Sequence, residues 1–332
     1  MSKQRRIPTP SWEQDSGIAG GLSGGRAKVF GLIAIILLVV VAVGVVGAGF
    51  LMDYIDDQNR PGSTALRVDD RKYTVKDYTE RAKIYVTQTG GNSGANSVIP
   101  AVTQDLIEES ILIQNAAAEG VEATDEEVKA AVATLLGITA DDPNFDARFQ
   151  EELGTVDLTE EEYRDMARGN VLQEKLTKHF QDNLPATAES LRYSVIQVAD
   201  QATAVEIKVL LDEGGDFATI AKEQSTDTTT KEAGGDAGWV PRGYLSEQQE
   251  NVLFGLTLDE SIVFPGSSGV FIYRVTERED AHAIDEDKKP TLAAQQYSEW
   301  FTDKQEAAEI TNHVDGSDVD IINYVVDHAE LT

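Results

Sequence analysis

The sequence predicts an α+β protein in which helical patterns flank one smaller α/β domain, all of it preceded by an apolar span near the N-terminus. Three observations carry this. Residues 29–52 form an uninterrupted uncharged run. Residues 101–185 hold apolar stripes at helical spacing behind two capping signatures, and from Leu191 strand-like runs alternate with short helices. A chain of 332 residues has room for about two compact units plus appendages. Its 41% hydrophobic content is enough for true cores.

Taken in order, residues 1–28 are rich in Pro, Ser and Gly and read as a disordered tail carrying Lys3, Arg5, Arg6, Arg26 and Lys28 against Glu13 and Asp15. The run VFGLIAIILLVVVAVGVVGAGFLM (29–52) follows. As a helix it would extend about 36 Å, more than the roughly 30 Å hydrocarbon core of a bilayer. Arg26 and Lys28 precede it and Asp53, Asp56 and Asp57 follow it, so the positive-inside rule puts the tail in the cytoplasm and the rest outside. The run is too long for the apolar region of a cleaved signal peptide, although Gly47, Ala48 and Gly49 would suit cleavage. The Arg5-Arg6 pair lies too far from it to read as a twin-arginine signal. Residues 53–64, with Pro61-Gly62, read as a linker.

The helical module is expected over 65–185. Leu66 to Tyr78 reads as strand, turn, then helix start, and TGGNSGANSV (89–98) as a loop. The spacing predicts a helix over 101–118 with Val102, Leu106, Ile113 and Ala117 on one side. A second helix opens on the capping box Thr124/Glu127 and continues through Val128, Ala131, Val132, Leu135 and Leu136. A third opens on Thr159/Glu162 and runs through Tyr163, Met166, Ala167, Val171 and Phe180 towards Pro185.

The α/β domain is expected over 186–282. LRYSVIQV is strand-like, residues 202–211 and 217–224 are helical around Gly214-Gly215, and the loop STDTTTKEAGGDAG leads to Trp239. Residues 246–256 look helical and VFIYRV (270–275) is a strand. The last segment, 283–332, is helical from Pro290 to about Glu309, with Leu292, Tyr297, Trp300 and Phe301 as packing residues, and again over 318–328.

The formal charge is −30, and all of the acidic excess lies beyond the basic tail. Such a body repels nucleic-acid phosphates and favours basic or neutral polypeptides as partners, although high charge is also a common solubility device. With no cysteine, disulfides and thiolate-bound zinc are excluded. The stretch Asp315 to Asp320 lacks the glycine placement and closing Glu of a calcium loop and reads as a turn. His179, His282, His313 and His328 read as surface residues, and Trp239 and Trp300 as packing residues.

The motifs GGDFATIAKEQSTD (214–227), GGDAGWVPRG (234–243) and SSGVFIYRVTER (267–278) resemble, in order and spacing, the parvulin (rotamase) domain of peptidyl-prolyl cis-trans isomerases. The segments LRVDDRKYTVKDY and LIEESILIQNAAAEGVEATDEEV are similar to the helical N-terminal chaperone domain of SurA/PrsA/PpiD-like proteins. The helix around Gln295 to Ala308 resembles their C-terminal segment. The resemblance covers nearly everything after residue 64 and implies, beyond the transmembrane helix that the apolar run predicts, a SurA-like chaperone domain completed by the C-terminal helix, and an inserted parvulin-like domain.

Isomerisation about an X–Pro bond crosses a barrier of about 18–20 kcal/mol without breaking a bond, so no nucleophile, metal or cofactor is implied. The family's two pocket histidines fall on Val195 and Phe271, and its Cys/Asp position on Thr228, beside Asp227. The apolar residues that hold the proline fall on Ala237, Leu245, Gln249 and Phe254; only Phe254 is kept and Leu245 is a mild exchange. Losing one of two hydrogen-bonded buried partners orphans the other, whereas losing both is nearly neutral. Val195 and Phe271 are therefore expected to pack together. The function so implied is a single-pass, membrane-anchored extracytoplasmic folding factor for unfolded or nascent secreted polypeptides, with isomerase catalysis weak or lost. The alternatives are an active isomerase and a non-enzymatic assembly factor for one membrane complex.

Overall fold

The structure, a computed structural model, describes residues 58–91 and 94–331. The expected tail (1–28) and membrane span (29–52) lie outside the described residues, as does the linker up to residue 57. Among the described residues no helix is long and apolar enough to cross a membrane. The described residues 58–63 belong to a first unit, in which Arg60–Gly62 make a 3₁₀ turn around Pro61. The chain from Thr64 onward forms the second.

Strands β1 (Thr64–Val68) and β2 (Arg71–Thr74) form a hairpin, and β7 (Ile310–Asn312) joins the other side of β1, all antiparallel. The sequence reading missed β2 and β7. Asp69 takes φ +50°, a conformation Asp tolerates, and this turns the chain back where a helix start was expected. The Asp69 backbone N–H donates to the Glu309 carbonyl (2.9 Å), and its side chain accepts from the Glu309 N–H (2.8 Å), fixing the returning C-terminal segment.

Helix α1 (Val75–Gln88) starts on a reciprocal Thr74/Asp77 capping box. Helix α2 (Ala95–Asn115) begins six residues earlier than predicted and carries Pro100 inside it; fully buried Val98 anchors the extra turn. Its predicted stripe is also incomplete. Ala117 is exposed, while Ile107, Ile111 and Leu112 are buried, because α2 is covered on several sides. Helix α3 (Asp125–Leu135) and helix α5 (Glu160–Asp182) open on the two predicted capping boxes. Leu135, assigned to the α3 stripe, is 37% exposed. Between them lies α4 (Phe145–Val156), which the pattern did not reveal. Its apolar anchors are mainly Phe145 and Phe149, and its N-cap makes no side-chain bond. Phe149 meets Tyr163 edge-on at 5.4 Å.

The C-terminal helices α9 (Lys289–Ala307) and α10 (Val319–His328) share this core: Trp300, Phe301, Ile321 and Val325 pack with Leu66, Tyr78, Leu106 and Leu176. Inside the module, Glu109 is bonded by Arg81, by Tyr73 Oη (3.0 Å) and by Arg71, which also reaches Asp165 (2.8 Å). A buried carboxylate persists only where it is compensated in this way.

The second sheet contains β3 (Thr187–Val198), β4 (Asp236–Pro241), β5 (Ser261–Gly266) and β6 (Gly269–Ala283), antiparallel in the order β4-β3-β6-β5. The sequence reading left β5 unassigned and put the start of β4 in a loop. Helices α6 (Gln201–Asp212) and α7 (Phe217–Gln224) cover one face. There Ile196, Val198, Val270 and Ile272 meet Ile207, Leu211, Phe217 and Ile220. Helix α8 (Glu247–Leu253), shorter than expected, lies with the other face. Gly234 and Gly235 show why the GGD motif needs glycine here: both have positive φ, and an added Cβ would lie 2.7 Å from the Ala218 Cβ and 2.7 Å from the Val195 carbonyl oxygen respectively.

Candidate functional site

Strand alternation builds the candidate site. Tyr193 and Val195 on β3, and Phe271, Tyr273 and Val275 on β6, point to the face that α6 and α7 leave uncovered. Val195 lies across from Tyr273, and Phe271 across from Gln197 on one side and Phe264 of β5 on the other. Val195 and Phe271 belong to one apolar cluster with Leu253, Phe254 and Tyr273.

Val195, Phe254 and Tyr273 are buried and form the floor. Around them stand half-buried Tyr193, Ala237, Tyr244, Leu245, Ile262, Phe264 and Phe271. The Tyr273 ring is flanked by Tyr193 and Phe264 at 5.9 Å each, and lies parallel to Phe271 at 5.8 Å. Gln249, from α8, donates to Tyr273 Oη (3.1 Å) and accepts from Ser246 Oγ (3.0 Å). The Arg242 guanidinium covers the Phe254 ring at 4.0 Å and is tied to Glu189 (2.6 Å).

Of the eight sequence-predicted positions, Val195, Ala237, Leu245, Phe254 and Phe271 come together in this cluster, with Gln249 attached through Tyr273. Thr228 is exposed in the turn after α7 and is not in the cluster. Asp227 accepts from Thr230 Oγ1 (2.6 Å) and the Thr229 N–H (3.0 Å). Partial burial raises its pKa, but these bonds outweigh that and hold it below the ordinary carboxylate value. Sequence reasoning missed Tyr193, Tyr273, Phe264 and Arg242. The period-two alternation within RYSVIQV and VFIYRV was the signal for the tyrosines. His282, read as a surface residue, is partly exposed; it stacks on Trp239 at 4.0 Å and bonds Glu279 (2.9 Å).

The phenols of this face are held in their neutral form. Burial pushes the Tyr193 phenol up to about 12, with help from Tyr273, Tyr244 and the Asp227 charge. Burial also raises Tyr273, against the Gln249 hydrogen bond. Both phenols therefore stay protonated at physiological pH, and the face offers apolar contact and neutral hydrogen-bonding groups.

These features define a two-part class, and comparison with known proteins agrees. Residues 24–177 match the SurA-like N-terminal domain and residues 186–279 the PPIC-type PPIase domain. The chain thus joins a SurA-like N-terminal domain to a PPIC-type PPIase domain, and it is similar to proteins named foldase protein PrsA. Among its relatives is the foldase protein PrsA of Halalkalibacterium halodurans, 26% identical over 249 residues, 70% of each chain. PrsA of Caldanaerobacter subterraneus subsp. tengcongensis is 30% identical over 199 residues, which cover 56% of this chain and 60% of the relative. PrsA of Exiguobacterium sibiricum is 33% identical over 172 residues, 48% of this chain and 55% of the relative. The chain thus spans little more than half the length of the latter two. Among solved structures, PrsA from Bacillus cereus is 20% identical, with a TM-score of 0.40 and coverage of 78% of this chain and 95% of that one. The parvulin domain of PpiD from E. coli is 28% identical, with a TM-score of 0.27 and coverage of 28% and 92%.

Proposed function

We propose that the protein is a membrane-anchored extracytoplasmic folding factor that holds unfolded or proline-containing polypeptides, and that its parvulin domain (186–282) binds them with little or no isomerase turnover. The helical chaperone module spans 65–185 and is completed by 283–332; the anchor is the apolar run 29–52. The observation that carries the reading is the composition of the sheet face opposite α6 and α7. It has a buried floor and a half-buried apolar rim suited to a proline ring, while the positions of the family's histidines hold Val195 and Phe271. A twisted amide is stabilised by groups placed for its displaced carbonyl and nitrogen, and here a valine and a phenylalanine stand in those places. The relatives' name, foldase protein PrsA, supports polypeptide clients.

The test is an isomerase assay with an X-Pro peptide, run beside an aggregation assay with an unfolded client, both with the full chain in detergent. The expected result is suppressed aggregation with an isomerisation rate within about twofold of the uncatalysed tens-to-hundreds-of-seconds process. Strong acceleration that is lost on Phe254→Ala would establish an active isomerase instead.

A further inference from the structure

We infer that helix α9, which belongs to the helical module, sets the position of a wall of the candidate pocket, and that Gln295 is the positioning residue through which it does so. The inference rests on the pocket reading above. The loop of residues 242–246 joins β4 to α8 and carries Leu245. Both backbone groups of Leu245 are engaged. Its N–H points to Glu250 Oε1 (3.4 Å), which also accepts from the Gly243 N–H, and its carbonyl accepts from Gln295 Nε2 (3.3 Å). The first hold comes from the parvulin domain itself, the second from the helical module.

Gly243 marks the closeness of this seat. It has φ +85°, and a Cβ there would lie 3.6 Å from both Leu292 Cδ2 and Gln295 Oε1. Lys288, the N-cap of α9, stands with its ammonium 6.0 Å from the Tyr244 ring centre. Lys288, Leu292 and Gln295 are spaced i, i+4 and i+7, so they form one stripe of the helix at about 100° per residue. The opposite stripe holds the helical core. Tyr297 Oη donates to Glu108 (2.5 Å), Trp300 Nε1 donates to Glu119 (2.9 Å), and Phe301 is buried beside them. Helix α9 is therefore clasped on one side by the module's core and on the other by the pocket loop. A shift of α9 relative to the second sheet is transmitted to Leu245 through a bond to its own carbonyl.

The experiment uses the full chain in detergent, with Gln295→Met, which keeps side-chain length and removes the amide donor, and Gln296→Met at its exposed neighbour as control. One readout is the Kd of a fluorescent X-Pro peptide; the other is amide hydrogen exchange at residues 243–246. Gln295→Met is expected to weaken the peptide roughly fivefold and to speed exchange at 243–246 by a similar factor, the worth of about one neutral hydrogen bond. Exchange in β3 and β6 should be unchanged, and Gln296→Met should match the wild type throughout. Unchanged exchange at 243–246 in Gln295→Met overturns the inference whatever the peptide does. Faster exchange with an unaltered Kd overturns the pocket role of the clasp. A wild-type chain that binds no peptide, with faster exchange in the variant, sinks the pocket reading and leaves the clasp standing.

Discussion

The pair Gln249 and Tyr273 offers a sharp test of whether the candidate site is packed as one buried unit. Tyr273 is 2% exposed, and its hydroxyl accepts from Gln249 Nε2 at 3.1 Å. In Gln249→Leu the hydroxyl loses this donor at a buried place, a penalty of about 1–3 kcal/mol. In Tyr273→Phe the half-buried Gln249 amide turns to water and keeps its Ser246 partner, so the cost is nearer 0.5–1.5 kcal/mol. The double variant Gln249→Leu/Tyr273→Phe removes both polar ends, and its cost should fall short of the sum by about 1 kcal/mol or more. Urea unfolding followed by far-UV circular dichroism, on all four proteins at one pH, measures this. At about 2–4 °C per kcal/mol for a chain of this class, thermal midpoints should fall by roughly 2–12 °C in Gln249→Leu. The double variant should also retain X-Pro peptide binding, since the apolar rim is untouched. Additive costs, with a coupling near zero, would refute the claim that the two side chains act as one buried unit.

Other predictions concern the scaffold. Glu109→Leu leaves the Arg81 side chain, 11% exposed, without its carboxylate and should cost about 3–5 kcal/mol; adding Arg81→Met should recover most of that in the same unfolding assay. Gly235→Ala sets a methyl 2.7 Å from the Val195 carbonyl at φ +85°, and should destabilise the parvulin domain by about 2 kcal/mol or more, read as lost exchange protection in β3 and β4. The pH dependence of stability should report Asp77. Burial raises its pKa, against the Thr74 hydrogen bonds and with reinforcement from the nearby Glu162 carboxylate. Because the folded state then holds the proton more tightly than the unfolded one, stability falls as pH rises from the ordinary aspartate value to the raised one. Asp77→Asn, which can still accept from the Thr74 N–H, should flatten the curve across that window; an unchanged curve would refute the assignment.

Much of the helical module was legible because its signals are local. The boxes Thr124/Glu127 and Thr159/Glu162 satisfy their own helix ends within four residues, so sequence spacing is the whole of the geometry. Helix α4 was not legible, since Phe145 and Phe149 acquire meaning only against Tyr163, beyond the end of their own helix. β7 was hidden for the same reason: three residues become a strand by pairing with β1, more than two hundred residues earlier. The candidate site sits between these extremes. Alternation placed Val195 and Phe271 on strands, but the rim depends on β5 and on the loop bearing Leu245, and the clasp from Gln295 crosses fifty residues of chain.

The same contrast separates what constrains the fold from what constrains its chemistry. Gly234 and Gly235 are held by backbone demands, positive φ and contacts of 2.7 Å, which any sequence making this sheet must meet whatever the domain binds. The motif that reveals the parvulin fold therefore carries no information about turnover. The face opposite α6 and α7 obeys a weaker constraint: its side chains must fill a floor and a rim without stranding a polar atom, and among the described residues no buried side-chain nitrogen or oxygen lacks a partner. Val195 and Phe271 satisfy that condition without an imidazole, and Gln249 satisfies it for Tyr273. A face so completed is stable without reference to catalysis. Nothing in the energetics of folding would select for histidine at those positions, so catalysis, where it exists in such a scaffold, is maintained separately from the fold that displays it.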